Sequence, residues 1–460
     1  VNITSTAELV ALLSGGSLGA TFLYSGGRYA FTGPERRALM RKAWQIRANW
    51  RRTAIRVGLC QTEYAAKVGA DIPTAAELVH ERARQRTLVP RLMVHVEAWG
   101  LRIEAETLGR IGLGEFQAAA DYLADQWRVP LVRIERSRPG FIRIRVLLSD
   151  PLTVATEYAP NLDALPDLRS WLVGIDADAQ DVTVRCSGVS GVVVAGLAGY
   201  GKTSLINTRF CQLAPSPAVQ FVLIDGKGGP DYDDLVRRAW LDCKDDLDDA
   251  LAVGRRVHRL MTTRQSGIRP VLGVKNIWSK RPDGTWGPFE AWPLVVVVID
   301  ECHTFFNETK DRDFDAKVRE FTRLVEELVR KGRNVGIQVL LATQKATGDA
   351  IPTKIRDNCQ VAVSFAQRTS EAAVAALGSD IADYPEAHPR RLQHPDYIGV
   401  ASMVAEGRQG FTLVRTPRTD DELAAEIADK TKDLVTDPLA LIEYQLQGLH
   451  AVPDDDAQAA

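Results

Sequence analysis

Short apolar runs, rich in Val, Ile and Leu, recur through the second half of the chain and end in small or polar residues. They occupy residues 192–195, 220–225, 294–300, 337–344 and 359–365, with a further run at 182–185. Runs of this length bounded by turn signals read as strands buried on both faces, the pattern of a parallel sheet. Between them the apolar positions move to helical spacing. Residues 204–210, 231–263 and 315–331 predict helices, with Asp245, Asp246, Asp248 and Asp249 as a helix-start signal and solvated face. Alternation of the two periods predicts an α/β core with a mainly parallel sheet. Residues 264–291, punctuated by Gly and Pro and carrying Trp278 and Trp286, read as a long polar loop with a role in binding or assembly. Residues 399–404 and 411–415 read as a terminal hairpin. Beyond 420 come an acidic helix and a disordered tail.

The first half has a different texture. Residues 7–13, behind Thr4 and Ser5, read as a short helix. Residues 28–56 carry nine basic side chains, among them Arg36, Arg41, Arg51 and Arg52, against one acid, Glu35. Trp44, Ile46 and Trp50 interleave, so the stretch predicts a basic amphipathic helix. A solvated face, a DNA-phosphate contact and a surface for acidic lipid headgroups all fit it. Arg82, Arg84, Arg86 and Arg91 make a second patch that Glu77 and Glu81 dilute. Strands at 92–96, 101–104, 131–135 and 141–148, with a helix at 116–127, predict a small α/β unit with no catalytic spacing. Residues 150–168 read as a linker.

The chemistry concentrates where the first buried strand ends. Gly196, Gly201, Lys202 and Thr203 fit G-x-x-x-x-G-K-[ST], between a strand and a helix. Glycines let successive backbone N–H groups converge on one anion, and the helix N-terminus adds partial positive charge. The cradle spans Gly196, Leu197, Ala198, Gly199, Tyr200, Gly201, Lys202, Thr203 and Ser204. Lys202 is placed for the β- and γ-phosphates of ATP, and the Thr203 hydroxyl for Mg²⁺. The run at 294–300 ends in Asp300-Glu301. Alone this is a core strand with an acidic tip; behind a phosphate loop it reads as Walker B, Asp300 holding the Mg²⁺ shell and Glu301 orienting or deprotonating water. Gln344 ends another core strand, where it would sense the γ-phosphate. His303 beside the acids reads as a structural or sensing neighbour, and Asp225 ends its strand in a turn at the same sheet edge.

Bulk properties narrow the class. The length suggests about three domains. A net charge of −2 drives the whole chain to neither nucleic acid nor membrane, so any such surface is local. Six cysteines without a C-x-x-C pair argue against zinc and a disulfide framework, and fit a reducing, cytoplasmic setting. No apolar run reaches membrane-spanning length and no signal peptide opens the chain, although a start at Val1 leaves an upstream membrane segment open.

The order of motifs resembles the FtsK/SpoIIIE family of DNA-pumping ATPases, nearest to the Tra-type transfer proteins of actinomycete plasmids and integrative conjugative elements. The residues carrying it are 196–203, Leu223-Ile-Asp-Gly-Lys-Gly228, Val298-Ile-Asp-Glu-Cys-His303 and Lys331-Gly-Arg-Asn-Val-Gly-Ile-Gln-Val-Leu-Leu-Ala-Thr-Gln344. The resemblance covers residues 90–420 and implies a RecA-like P-loop NTPase core that moves double-stranded DNA as a homo-hexameric ring, hydrolysing ATP. By position, Arg333 matches an arginine that reaches a neighbour's phosphates, and Lys345, Lys354 and Arg356 match channel residues that touch DNA. Four regions are expected: a basic helical region at 1–88, a small α/β domain at 89–152, the motor at 153–420, and an acidic helix with tail at 421–460. The family's membrane helices and winged-helix module are not evident, so a membrane-anchored or DNA-loading partner and recruitment to the membrane are further expectations. A type VII secretion-like export ATPase and a non-translocating nucleotide-binding adaptor are the competing readings.

Overall fold

The computed structural model describes residues 33–63, 86–344, 350–404 and 410–450. The helix expected at 7–13, Arg82, Arg84, Lys345 and the tail past 450 lie outside the described residues. The chain divides into two compact units, Val1–Val154 and Ala155–Ala460.

In the first unit, α1 (Pro34–Arg56) precedes a two-stranded ladder of β1 (Gln61–Glu63) and β2 (Arg86–Leu88). Then come β3 (Leu92–Val96), β4 (Gly100–Glu106), α2 (Leu113–Ala118), α3 (Ala120–Trp127), β5 (Leu131–Arg138) and β6 (Phe141–Leu147). The last four strands form an antiparallel sheet in the order β3-β4-β6-β5. Strand β6 shows why: Ile142, Ile144 and Val146 point into the core, while Arg143 and Arg145 alternate with them. These arginines form cross-strand ion pairs, Arg143 with Glu104 at 2.9 Å and Arg145 with Glu135 at 2.7 Å. The helix expected at 116–127 is two helices, broken at Ala119. Helix α1 is amphipathic as expected. It buries Ala43, Ile46, Trp50 and Ala54, and the Trp50 indole donates to Pro90 O at 2.6 Å. Its outer face exposes Arg51, Arg52, Arg56 and Trp44, the last at 71%.

The second unit is built on one ten-stranded sheet. Its elements are β7 (Ser170–Asp176), β8 (Asp181–Arg185), β9 (Gly191–Ala195), α4 (Lys202–Leu213), β10 (Val219–Asp225), β11 (Ala239–Lys244), α5 (Leu247–Leu272) and β12 (Leu294–Asp300). They continue as α6 (Arg312–Lys331), β13 (Ile337–Thr343), α7 (Thr353–Arg356), β14 (Val361–Ser364), α8 (Ser370–Leu377), β15 (Val400–Val404), β16 (Phe411–Arg415), α9 (Asp421–Thr431) and α10 (Pro438–His450). The order is β11-β10-β12-β13-β9-β14-β15-β16-β7-β8, parallel from β11 to β14 and antiparallel thereafter. Every residue of β9, β10, β12 and β13 is buried. This agrees with their unbroken apolar runs, since each has neighbours on both faces.

The structure departs from the pattern reading in this unit too. Strand β7 starts where a linker was ending, and β11 lies inside a segment read as helical. Strand β11 is an edge strand of mixed polarity, so no apolar run marks it. Helix α5 runs on through Gly267 and Pro270 to Leu272, which shortens the expected loop to 273–293. Strands β15 and β16 pair antiparallel as the expected hairpin. They extend the main sheet, and helices α9 and α10 add Ala424, Ile427, Ala428, Leu439 and Ile442 to the same core.

Candidate functional site

Because β9, β10, β12 and β13 are parallel, their carboxyl ends share one edge of the sheet. That edge collects the 196–201 loop, Asp225, Asp300, Glu301 and Gln344 from four distant parts of the chain. The loop is backbone-driven. Gly196 and Gly201 have φ of +151° and +115°. A Cβ on Gly196 would lie 2.6 Å from Phe365 Cβ, and one on Gly201 would lie 3.0 Å from the Phe365 ring, so only glycine fits. The loop is tied down at both ends: Leu197 N donates to Ala366 O at 3.0 Å, and Tyr200 OH donates to Gln393 O at 2.8 Å. Ala198 and Gly199 form its exposed crest.

Lys202, at the first position of α4, is only 6% exposed. Its ammonium donates to Gly196 O at 2.8 Å and Leu197 O at 3.3 Å, folding the side chain over the loop that precedes it. Burial holds its pKa below the usual lysine value, and the nearby Glu301 and Asp300 charges oppose that shift. Thr203 follows, half-buried. The Ser204 hydroxyl accepts a hydrogen bond from Thr419 N at 3.0 Å and so ties α4 to the C-terminal segment.

Asp300 accepts from Glu301 N at 2.9 Å through Oδ1 and from Tyr232 OH at 2.9 Å through Oδ2. Burial raises its pKa and the Tyr232 bond counters this. Tyr232 in turn is pushed well above the usual phenol value by burial beside Asp300. Glu301 sits in the left-handed region at φ +44°, a costly conformation for a residue with a Cβ. Its Oε2 accepts from Gln344 N at 3.1 Å and lies 3.4 Å from His303 Nδ1, which is 3.4 Å from Thr343 Oγ1. Gln344 therefore meets the acid through its backbone N–H, a contact that the side-chain reading of Gln344 did not contain. Tyr232 had no signal in the sequence beyond its place three residues after the Asp225-Gly-Lys-Gly-Gly229 turn that follows β10.

The donor set suits Mg²⁺, a hard cation that takes oxygen ligands and keeps several waters. Thr203 offers a hydroxyl and Asp300 a carboxylate. Asp225 Oδ2 is a buried carboxylate oxygen with no partner. Among the described residues no three His, Cys, Asp or Glu side chains could enclose a metal by themselves.

The remaining expected residues lie elsewhere. Arg333 is exposed on the turn at the amino end of β13, so a seven-residue strand, about 23 Å at 3.3 Å per residue, separates it from the phosphate-loop edge. The shortened 273–293 loop grips that turn: Trp278 Nε1 donates to Arg333 O and Ile277 N to Asn334 O, both at 2.9 Å. Lys354 is exposed. Arg356 is half-buried, donates to Ala375 O at 3.3 Å and pairs with Asp357 at 3.5 Å.

No protein-family model matches the chain. It is 27% identical to DNA translocase FtsK 2 of Ralstonia nicotianae, over 57% of this chain and 36% of that protein. It is 25% identical to DNA translocase FtsK of Haemophilus ducreyi, over 57% and 30%. This chain is related to the FtsK-type DNA translocases. It spans about a third of the length of the curated relatives it matches. Among solved structures, the pCW3 conjugation coupling protein TcpA, in its monomer form with ATPgS, aligns with a TM-score of 0.50 and 17% identity, covering 75% of this chain and 94% of that one. That likeness shows the fold alone, a RecA-like α/β core on a mainly parallel sheet.

Proposed function

We propose that this chain is an ATP-driven motor that moves double-stranded DNA in conjugative transfer of a plasmid or integrative element, working as a homo-hexamer. The observation that carries the reading is the convergence of Lys202, Asp300 and Glu301 on one sheet edge around a glycine-built anion cradle. The relatedness to FtsK-type translocases directs that site to DNA.

In this reading the exposed crest at Ala198 and Gly199 and the N-terminus of α4 bind the phosphates. Lys202 exchanges the Gly196 and Leu197 carbonyls for phosphate oxygens, and the same buried setting that disfavours its charge strengthens its pairing with an anion. Thr203 and Asp300 would hold Mg²⁺, which supplies charge neutralisation on the phosphates. Glu301, held by Gln344 N, orients the attacking water and accepts its proton. Arg333 is too far from its own phosphate loop to act there. Its exposure on the opposite edge suits a role at a neighbour's site. Lys345, Lys354 and Arg356 contact the DNA backbone, with Arg356 first releasing its present partners. Such contacts read charge rather than sequence.

No described helix is long and apolar enough to cross a membrane. The arginines and exposed Trp44 on the outer face of α1 support docking to an anionic membrane surface or to a membrane-anchored, DNA-loading partner. The deciding experiment measures ATP turnover and mass in solution with duplex DNA of several lengths. The expected result is turnover stimulated by duplex DNA of any sequence, together with a ring-sized particle. Stimulation by a secreted peptide alone, or tight ATP binding with no turnover, would overturn it.

A further inference from the structure

Strands β10 and β12 end in the same way, and only one of their terminal acids has a role so far. Asp225 and Asp300 are paired in register at the ends of adjacent parallel strands, so their side chains leave the same face of the sheet at the same level. The strands lie about 4.8 Å apart. Both carboxylates are buried, at 3% and 5% exposure. Asp300 has both oxygens engaged, by Tyr232 OH and Glu301 N. Asp225 has one oxygen engaged: Oδ1 accepts from Lys227 N at 2.9 Å, while Oδ2 is buried with no donor. An aspartate that served only to shape its turn would need no more than the Lys227 bond. Burying the second oxygen unpaired is a cost that the fold alone does not explain.

Tyr232 reaches the end of β12. Its ring is 2% exposed, and the loop after β10 delivers its hydroxyl to Asp300 Oδ2 at 2.9 Å. The hydroxyl takes up one oxygen, and Oδ1 accepts from the Glu301 backbone, so the carboxylate is held at both ends.

Building on the nucleotide reading above, we propose that Tyr232 and Asp225 are positioning residues of the site: Tyr232 sets the rotation of the Asp300 carboxylate, and Asp225 Oδ2 accepts a hydrogen bond from a water in the Mg²⁺ shell. Outer-shell partners of this kind orient the inner ligands, and their loss costs about 10- to 100-fold in metal affinity.

The test uses the full chain and reads binding of a fluorescent ATP analogue, first in EDTA and then against rising Mg²⁺. In Asp225→Asn and in Tyr232→Phe, metal-free binding should stay within about twofold of wild type while the Mg²⁺ midpoint rises about tenfold or more. Asp225→Asn should keep or raise the melting temperature, because it removes an unpaired buried charge. Asp231→Asn, which removes a nearby charge without touching either oxygen, should leave the midpoint unchanged. Unchanged midpoints in both folded variants would overturn the proposal. So would an equal loss of binding with and without metal, or an equal shift in Asp231→Asn. If wild type and Lys202→Ala bind the analogue alike, the nucleotide reading itself fails, and that outcome is distinct from all of these.

Discussion

Glu301→Gln isolates the proposed base. The replacement keeps length and shape, and the Gln side-chain oxygen can still accept from Gln344 N, so the tip of β13 stays in place. The structural cost is small. A charged hydrogen bond becomes a neutral one, a loss of about 1 kcal/mol, and a buried charge disappears, which returns part of it. For a unit of this size that is a melting shift of no more than about 4 °C. The chemical cost is large. An amide cannot take a proton from water, and general-base catalysis contributes roughly 10²- to 10⁴-fold, or about 3–5 kcal/mol of barrier. Turnover with duplex DNA should therefore fall by about that factor while nucleotide binding persists. Three measurements together make the assay: steady-state phosphate release, equilibrium binding of a fluorescent ATP analogue, and thermal melting. Turnover within about tenfold of wild type, in a variant that melts normally, would refute Glu301 as the base. A collapse of binding along with turnover would instead make Glu301 part of the cradle.

Other perturbations probe other parts of the molecule. Lys202→Ala removes the only loop cation that reaches Gly196 O and Leu197 O among the described residues, and should reduce ATP turnover by about 10²-fold or more; unchanged phosphate release would remove it from the site. An equal mixture of two inactive variants, Lys202→Ala and Arg333→Ala, should regain up to about a quarter of wild-type turnover if Arg333 serves a neighbour's site, because heterologous ring contacts pair an intact loop with an intact arginine that often. No recovery on mixing would confine both residues to one subunit's own work. Arg238→Met should lower stability by about 3 kcal/mol, since the buried guanidinium donates to Ala214 O, Ser216 O and Val219 O and a thioether replaces none of these bonds; denaturant melts read this directly. Arg51→Glu combined with Arg52→Glu should abolish co-sedimentation with phosphatidylserine vesicles while ATP turnover persists, and binding that survives the charge reversal would leave the outer face of α1 a solvated surface.

Local constraints made much of this protein legible from its residues in order. The 196–203 loop needs glycines at set positions, and the buried strands need apolar residues on both faces. Each rule acts over a few neighbouring residues and so leaves a mark in one dimension. Edge strands such as β11 pair on one side only and carry no such mark. Tertiary structure decided which side chains meet. Tyr232 donates to an acid 68 residues away, Gln344 reaches Glu301 through a backbone group that carries no residue identity, and Asp225 is singled out only by having Asp300 beside it in register. Contacts of this kind depend on strand order, which short-range spacing does not encode. They arise once parallel strands from distant segments stack and bring their ends to a common edge.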